Sequence, residues 1–302
     1  MRLRLAFKDL YPLYKESLIP SMIAKMCNER LEITNEEYAD LIIVGPSKNK
    51  KQFFQKFLKG YQNKRAKYLF HTGENVRFNE VKADFAISFD LSVEDKNHLR
   101  WPLWMDSIRW REYGLDYRPE NIRFGRAIEI EQLMAPLGRD TLERQFKAAI
   151  FTRHLKEPRD SLIKALRSIM QVDGFGRAFD NSIKSHDDSG FCKYDILKDY
   201  IFNLCPENSL YPGYYTEKIV EAYAAGCIPI TWADPNVKVD FKEGSFINCH
   251  PFAAGGYDKG LGSAVTKAKL ERLVETPLLS DRPSLLPLRE FLDRVIVAAS
   301  KF

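Results

Sequence analysis

Apolar and polar positions along the chain fall into two series of the same kind. In the first, short uninterrupted apolar runs, LRLAF, DLIIVGP, KYLFH and ADFAISFD, alternate with segments of helical character, an amphipathic stretch from Leu18 to about Arg30 and the run QFFQKFLKGYQ. Strands that are apolar on both faces belong to parallel sheets covered by helices on each side. A second series opens near residue 147 with AAIFTR. It continues through a helix over about Pro158–Met170, the run SIMQVDGFGR, a helix near Lys193–Lys198, YIFNLCPEN, the helix TEKIVEAYAAG and CIPITWA. Between the series, Arg109 to Arg144 is rich in Arg and Glu and shows little period. The pattern predicts an α/β protein of two similar halves, 1–146 and 147–302. It places a ligand in the cleft between them, because such sheets bind ligands at the carboxyl ends of their strands.

Composition narrows this further. The chain has 302 residues, 45% hydrophobic and 29% charged, enough for one large core or two medium ones and unlike a disordered segment. A net charge of +5 suits an anionic small ligand or a membrane surface and is too slight to indicate nucleic acid as a partner. The five cysteines, Cys27, Cys192, Cys205, Cys227 and Cys249, stand singly with no C-x-x-C pair, so neither a disulfide framework nor a zinc site is expected, and a reducing compartment fits. No run approaches the roughly 18 apolar residues of a spanning helix, and the N-terminus lacks a signal-peptide core, which makes the expected location cytoplasmic. The five histidines show no metal-ligand spacing.

The chemistry concentrates in residues 200–252. There a strand, YIFNLC, enters a long loop, the loop meets a helix ended by Gly226, and the strand CIPITW follows. Lys218 in the first turn of that helix opposes the helix dipole, at a cost of roughly 0.3–1 kcal/mol, and becomes reasonable where an anion sits between them. Otherwise it points to solvent. Asn208, Tyr214 and Tyr215 in the loop suit either turn chemistry or a nucleotide, and Glu217 suits ribose hydroxyls.

Read in order, NLCPENSLYPGYYTEK, GCIPITW and DFKEGSFINCHPF resemble the donor-binding signature of the α-1,3/4-fucosyltransferases of glycosyltransferase family 10. HTGENVRFNEVKADFAISFD with LRWPLW is similar to segments of its bacterial members, and VDGFGRAFDN to its Gly-rich stretch. The likeness runs over most of Lys67–Phe252. Pro206, Ala233 and Pro251 depart from the family pattern.

The resemblance implies a GT-B fold, two Rossmann-like domains facing each other across a cleft, and inverting transfer of L-fucose from GDP-β-L-fucose to an N-acetylglucosamine-containing glycan through an α-1,3 or α-1,4 bond. It makes Glu74, of T-G-E-N, the base. It gives the diphosphate to Arg177 and Lys218, the ribose to Glu217, and further donor contacts to Asn208 and Tyr214. No metal or other cofactor is required, and a non-essential Mn²⁺ or Mg²⁺ effect stays open. Trp101 and Trp104, in the Arg-interleaved LRWPLWMDSIRW, are candidates for an acceptor-sugar platform, with core packing as the alternative. The acceptor is an oligosaccharide or glycolipid, as in lipopolysaccharide O-antigen or Lewis-type glycans. The amphipathic tail SLLPLREFLDRVIVAASKF is expected to form a last helix that packs across the two domains or back on the N-terminal one, peripheral attachment to the inner membrane face being the other reading. A GT-B transferase for another nucleotide sugar and a non-catalytic glycan- or nucleotide-binding module are the competing functions.

Overall fold

A computed structural model of the chain describes residues 2–46, 63–115, 117, 123–179 and 192–300. It divides into two compact units. The first is Met1–Asp106 with Trp110–Glu120 and Ser284–Phe302, and the second is Ser107–Arg109 with Asn121–Pro283.

The first unit is built on six parallel strands, β1 (Leu3–Lys8), β2 (Leu31–Ile33), β3 (Leu41–Val44), β4 (Lys67–His71), β5 (Phe85–Ser88) and β6 (His98–Arg100), in the order β2-β1-β3-β4-β5-β6. The fully apolar β3 and the largely buried β4 lie centrally, and register sets Ile43 beside Leu69 and Leu69 beside Phe85. That alignment brings the carboxyl ends of β3, β4 and β5 to one edge. Helix α1 (Leu18–Cys27) buries Leu18, Ile19, Met22 and Ile23, spaced as one helical face requires. The expected helix in QFFQKFLKGYQ lies outside the described residues.

The second unit begins with α2 (Ile130–Met134), followed by β7 (Gln145–Phe151), α3 (Arg159–Arg167), β8 (Gln171–Phe175), α4 (Lys193–Leu197), β9 (Tyr200–Leu204), α5 (Lys218–Ala224), β10 (Ile228–Thr231), β11 (Ile247–Asn248), α6 (Tyr257–Ala264) and α7 (Lys267–Glu275). Its five parallel strands run β11-β10-β9-β7-β8. All of β9 is buried, and Phe202 is paired with Ala148 on one side and Ile228 on the other. Gly226 takes φ +78° just after α5, as its expected role in ending that helix requires.

One expectation about organisation changes and another narrows. The boundary lies between residues 106 and 121 rather than at 146/147, because the segment before β7 is already tied to the second unit. Tyr223 Oη donates to the carbonyl of Ala135 at 3.0 Å, and the Leu279 N–H donates to that of Leu133 at 3.0 Å. Strand periodicity is blind to such a segment. The tail forms α8 (Leu286–Ala299), which groups with the first unit alone. Its Leu288, Phe291, Leu292 and Val295 are buried against that unit, Phe291 meeting Phe85 edge-on at 6.2 Å. Among the described residues, no helix is long and apolar enough to cross a membrane.

Candidate functional site

Each unit presents chemistry at the carboxyl edge of its sheet. In the first, β4 runs out at His71 into Thr72, Gly73 and Glu74. Thr72 is buried, and its Oγ1 accepts the Glu74 N–H at 2.9 Å, an ST turn that fixes the backbone and leaves the Glu74 carboxylate exposed. Two strands away, an open cavity of about 540 Å³ lies at the ends of β1 and β2. Lys15, Thr34, Asn35 and the ion pair Lys8–Glu36 line it.

Trp101 and Trp104 do not supply the expected sugar platform. They are 2% and 4% exposed, and the Trp101 Nε1–H donates to Asp106 Oδ1 at 2.7 Å, so neither ring offers a face to a ligand. An aromatic run interleaved with Arg reads alike for packing and for stacking; only burial separates them.

In the second unit the loop from Cys205 to Glu217 extends the ladder between β9 and β10 before it turns. The N–H groups of Cys205 and Glu207 donate to the carbonyls of Ile230 and Trp232. This carries Glu207 inward to 1% exposure. Its carboxylate accepts from the Thr216 N–H at 2.8 Å, from Thr216 Oγ1 at 2.9 Å and from Lys218 Nζ at 2.7 Å. The anion that makes Lys218 tolerable at the start of α5 is therefore the chain's own Glu207. Burial works against the Lys218 charge, yet Glu207 and Glu217 outweigh it and hold the ammonium above its ordinary pKa. Burial likewise opposes ionisation of Glu217, but Lys218, its own backbone and Lys193 leave it below the usual carboxylate range.

Arg159 stands beside this cluster. The first residue of α3, it donates from Nη2 to Asn208 Oδ1 at 2.6 Å. Burial draws its pKa down while Glu207 and Tyr214 pull it up, and a guanidinium remains charged throughout. Tyr214 is buried behind the turn at Gly213 (φ +91°). Lys193, at the start of α4, pairs with the buried Glu221 at 2.8 Å. Thus Asn208, Tyr214, Glu217 and Lys218 come together. Arg177 does not join them by any hydrogen bond or ion pair described: it is exposed after β8, two strands from β9, beyond a Gly176 whose Cβ would meet the Thr152 carbonyl at 2.8 Å.

Arg159 and Glu207 escaped the sequence reading. The signal for Arg159 was the one used for Lys218, a cation placed against the dipole at a helix start. Glu207 sat inside PENS, where nothing local distinguishes a solvated carboxylate from a buried one. Because Glu207 is buried among charge-assisted donors, Glu207→Gln should strand Lys218 and lower unfolding free energy by about 3 kcal/mol, measured by chemical denaturation. Wild-type stability in that variant would show that Lys218 needs no internal partner.

Among the described residues, no group of three or more His, Cys, Asp or Glu side chains is arranged to hold a metal. Burial raises the thiol pKa of Cys205, Cys227 and Cys249 and keeps them protonated.

Comparison with known proteins gives two family matches. Residues 143–256 match the model for the glycosyltransferase family 10 (fucosyltransferase) C-terminal region, and residues 18–106 match that for the N-terminal domain of α-(1,3)-fucosyltransferase FucT. The Helicobacter pylori α-(1,3)-fucosyltransferase FucT is 30% identical over 287 residues, covering 88% of this chain. The chain spans 57% of that relative's length. A crystal structure of an α1,3-fucosyltransferase with GDP superposes with TM-score 0.66 at 26% identity, covering 98% of this chain and 90% of that one. One with GDP-fucose gives TM-score 0.66 at 24% identity with the same coverage.

Proposed function

The chain belongs to glycosyltransferase family 10 and has its GT-B fold, and on that premise we propose that it transfers L-fucose from GDP-β-L-fucose, with inversion, to O3 of an N-acetylglucosamine residue in a glycan. The observation that carries this reading is the convergence of Lys218 and Arg159 on the loop after β9, at the edge where a parallel sheet takes a nucleotide.

Inversion is a single in-line displacement. The acceptor oxygen attacks the anomeric carbon, its proton passes to a base, and the bond to the diphosphate breaks with negative charge gathering on GDP. Glu74, an exposed carboxylate on a fixed turn, is assigned the proton. Lys218 and Arg159 are assigned the diphosphate, because cations held in place before the reaction stabilise the leaving group without reorganising. Arg177 is left as an outer, exposed contact to the same charge. Glu217 is assigned the ribose hydroxyls, and Asn208 and Tyr214 the donor loop. These residues supply the charge compensation, and no metal is invoked. The cavity at the ends of β1 and β2, with its Lys, Asn and Thr lining, is assigned to the acceptor's further sugars. We place the enzyme in the cytoplasm, at the inner membrane face, acting on a bacterial surface glycan such as an O-antigen.

The test is GDP release from GDP-fucose over type 1 and type 2 disaccharides, with the product linkage read by NMR. Fucose α-1,3-linked to the type 2 acceptor is the expected product, and an α-1,4 product on type 1 would overturn the regiochemistry. A thermal shift with UDP and none with GDP would favour another nucleotide sugar. A GDP shift without turnover on any acceptor would mean a binding module.

A further inference from the structure

Three buried polar side chains from separate segments of the first unit meet beneath the Glu74 turn. Tyr14, on the 3-10 turn Pro12–Glu16, sets its hydroxyl 2.7 Å from His71 Nδ1. His71 Nε2 faces Asp106 Oδ2 at 3.5 Å, and among the described residues neither atom has a hydrogen bond elsewhere. Asp106 Oδ1 is engaged by Trp101. None of the four residues is more than 3% exposed, and a polar chain so buried is costly unless all its members are satisfied.

The same segments grip the Glu74 turn. His71 is the last residue of β4, three before Glu74. Asp106 lies on the 3-10 turn Leu103–Ser107, whose Leu103 packs so closely on Gly73 that a Cβ there would fall 2.7 Å from its methyl carbons. The 103–107 turn therefore touches the base-bearing segment twice, through Leu103 on Gly73 and through Asp106 on His71. Tyr14 holds the opposite ring nitrogen.

We propose that Tyr14, His71 and Asp106 form a positioning unit for the Glu74 turn, a hydrogen-bond chain whose direction is reversed by one ionisation of the Asp106–His71 pair. It rests on the reading of Glu74 as the base. In the protonated form Asp106 Oδ2–H donates to Nε2, and Nδ1–H donates to the Tyr14 oxygen, which leaves the tyrosyl proton without its acceptor on His71. On ionisation the carboxyl proton passes to Nε2 and the Nδ1 proton is lost to solvent. Tyr14 then donates to Nδ1 and Nε2–H donates to the carboxylate. Every hydrogen of the chain has an acceptor in this second form, and it is the one that fixes the turn.

Burial supports such a switch near neutrality. It lifts Asp106 to about 7 against the pull of the Trp101 N–H, and lowers His71 to about 3, so the imidazole stays neutral in both forms. Burial and the Asp106 charge both keep Tyr14 protonated. Among the described residues, the groups bonded to the pair are Tyr14 from the 12–16 turn and Trp101 from the segment after β6. A carboxyl raised above its ordinary value favours folding at low pH and loses that contribution as pH climbs to about 7. Activity should run the other way, kcat rising through about 7 as the fully bonded form appears.

The experiment is NMR of the ¹⁵N-histidine-labelled full chain, with His71 assigned by its loss in His71→Gln, beside steady-state kinetics. His71 is expected to change from the Nδ1–H to the Nε2–H tautomer near pH 7, and Asp106→Asn to abolish the change. Tyr14→Phe, which keeps the buried ring, should lower kcat about tenfold with donor KM and GDP affinity unchanged. A single tautomer from about pH 5.5 to about 8.5 would overturn the proposal. So would wild-type kcat and pH profile in Tyr14→Phe, which decides the matter even where Asp106→Asn fails to fold. Absence of transfer by the wild type would sink the reaction assigned above, whereas a flat titration in an active enzyme would sink the chain alone.

Discussion

Glu74→Gln should lower kcat by about a thousandfold while leaving the affinity for GDP unchanged, because general bases contribute on the order of 10²–10⁴ and glutamine keeps the size but cannot take the proton. The structure makes this substitution clean. The Glu74 side chain is exposed, and its turn is held by backbone and Thr72 bonds that do not involve the carboxylate. Folding should therefore be unaltered, and the loss should fall on kcat rather than on donor KM. GDP release measured beside calorimetric titration of GDP separates the two. A variant that retains even a tenth of the wild-type kcat would remove Glu74 from the role of base.

The second large effect is expected on the other unit. Arg159→Ala and Lys218→Ala should each weaken GDP binding by about 10–100-fold, the worth of a charge-assisted hydrogen bond to phosphate. Arg177→Ala should change it by less than about threefold, since Arg177 is exposed and apart from the cluster. Lys218→Ala carries a complication that the geometry specifies. It leaves the Glu207 carboxylate buried with, among the described residues, only Thr216 as donor, so part of its cost appears as lost stability. Among the described residues Arg159 has no such buried carboxylate bonded to it, only the Asn208 amide, and is the sharper test. Calorimetric titration well below each variant's melting temperature reads the binding change alone. Equal affinity in wild type and Arg159→Ala would return the diphosphate to Arg177 and Lys218.

Much of this arrangement was legible before any coordinates. LIIV, KYLFH and YIFNL read as buried parallel strands because their interior residues are mostly apolar on both faces, and they occupy the interiors of the two sheets. The loop before α5 was legible as a site because its residues follow one another in a fixed order. The boundary between the units was not, since residues 123–144 join the second unit through caps and carbonyl bonds that have no period. Nor was the fate of Trp101 and Trp104, whose pattern fits a platform as well as a core.

What the sequence determined by itself is what depends on neighbours in the chain: which runs are strands, where α5 begins and ends, and which motifs succeed one another. What only the tertiary structure decided is which charges face which. Arg159 reaches Asn208 across 49 residues, and Tyr14 reaches His71 across 57. Those meetings follow from strand order, which sets β9 beside β7 and β4 within two strands of β1. Strand order is fixed by the packing of whole sheets, to which the charged residues themselves contribute little. Their local surroundings in the sequence therefore carry no record of the partner each one meets.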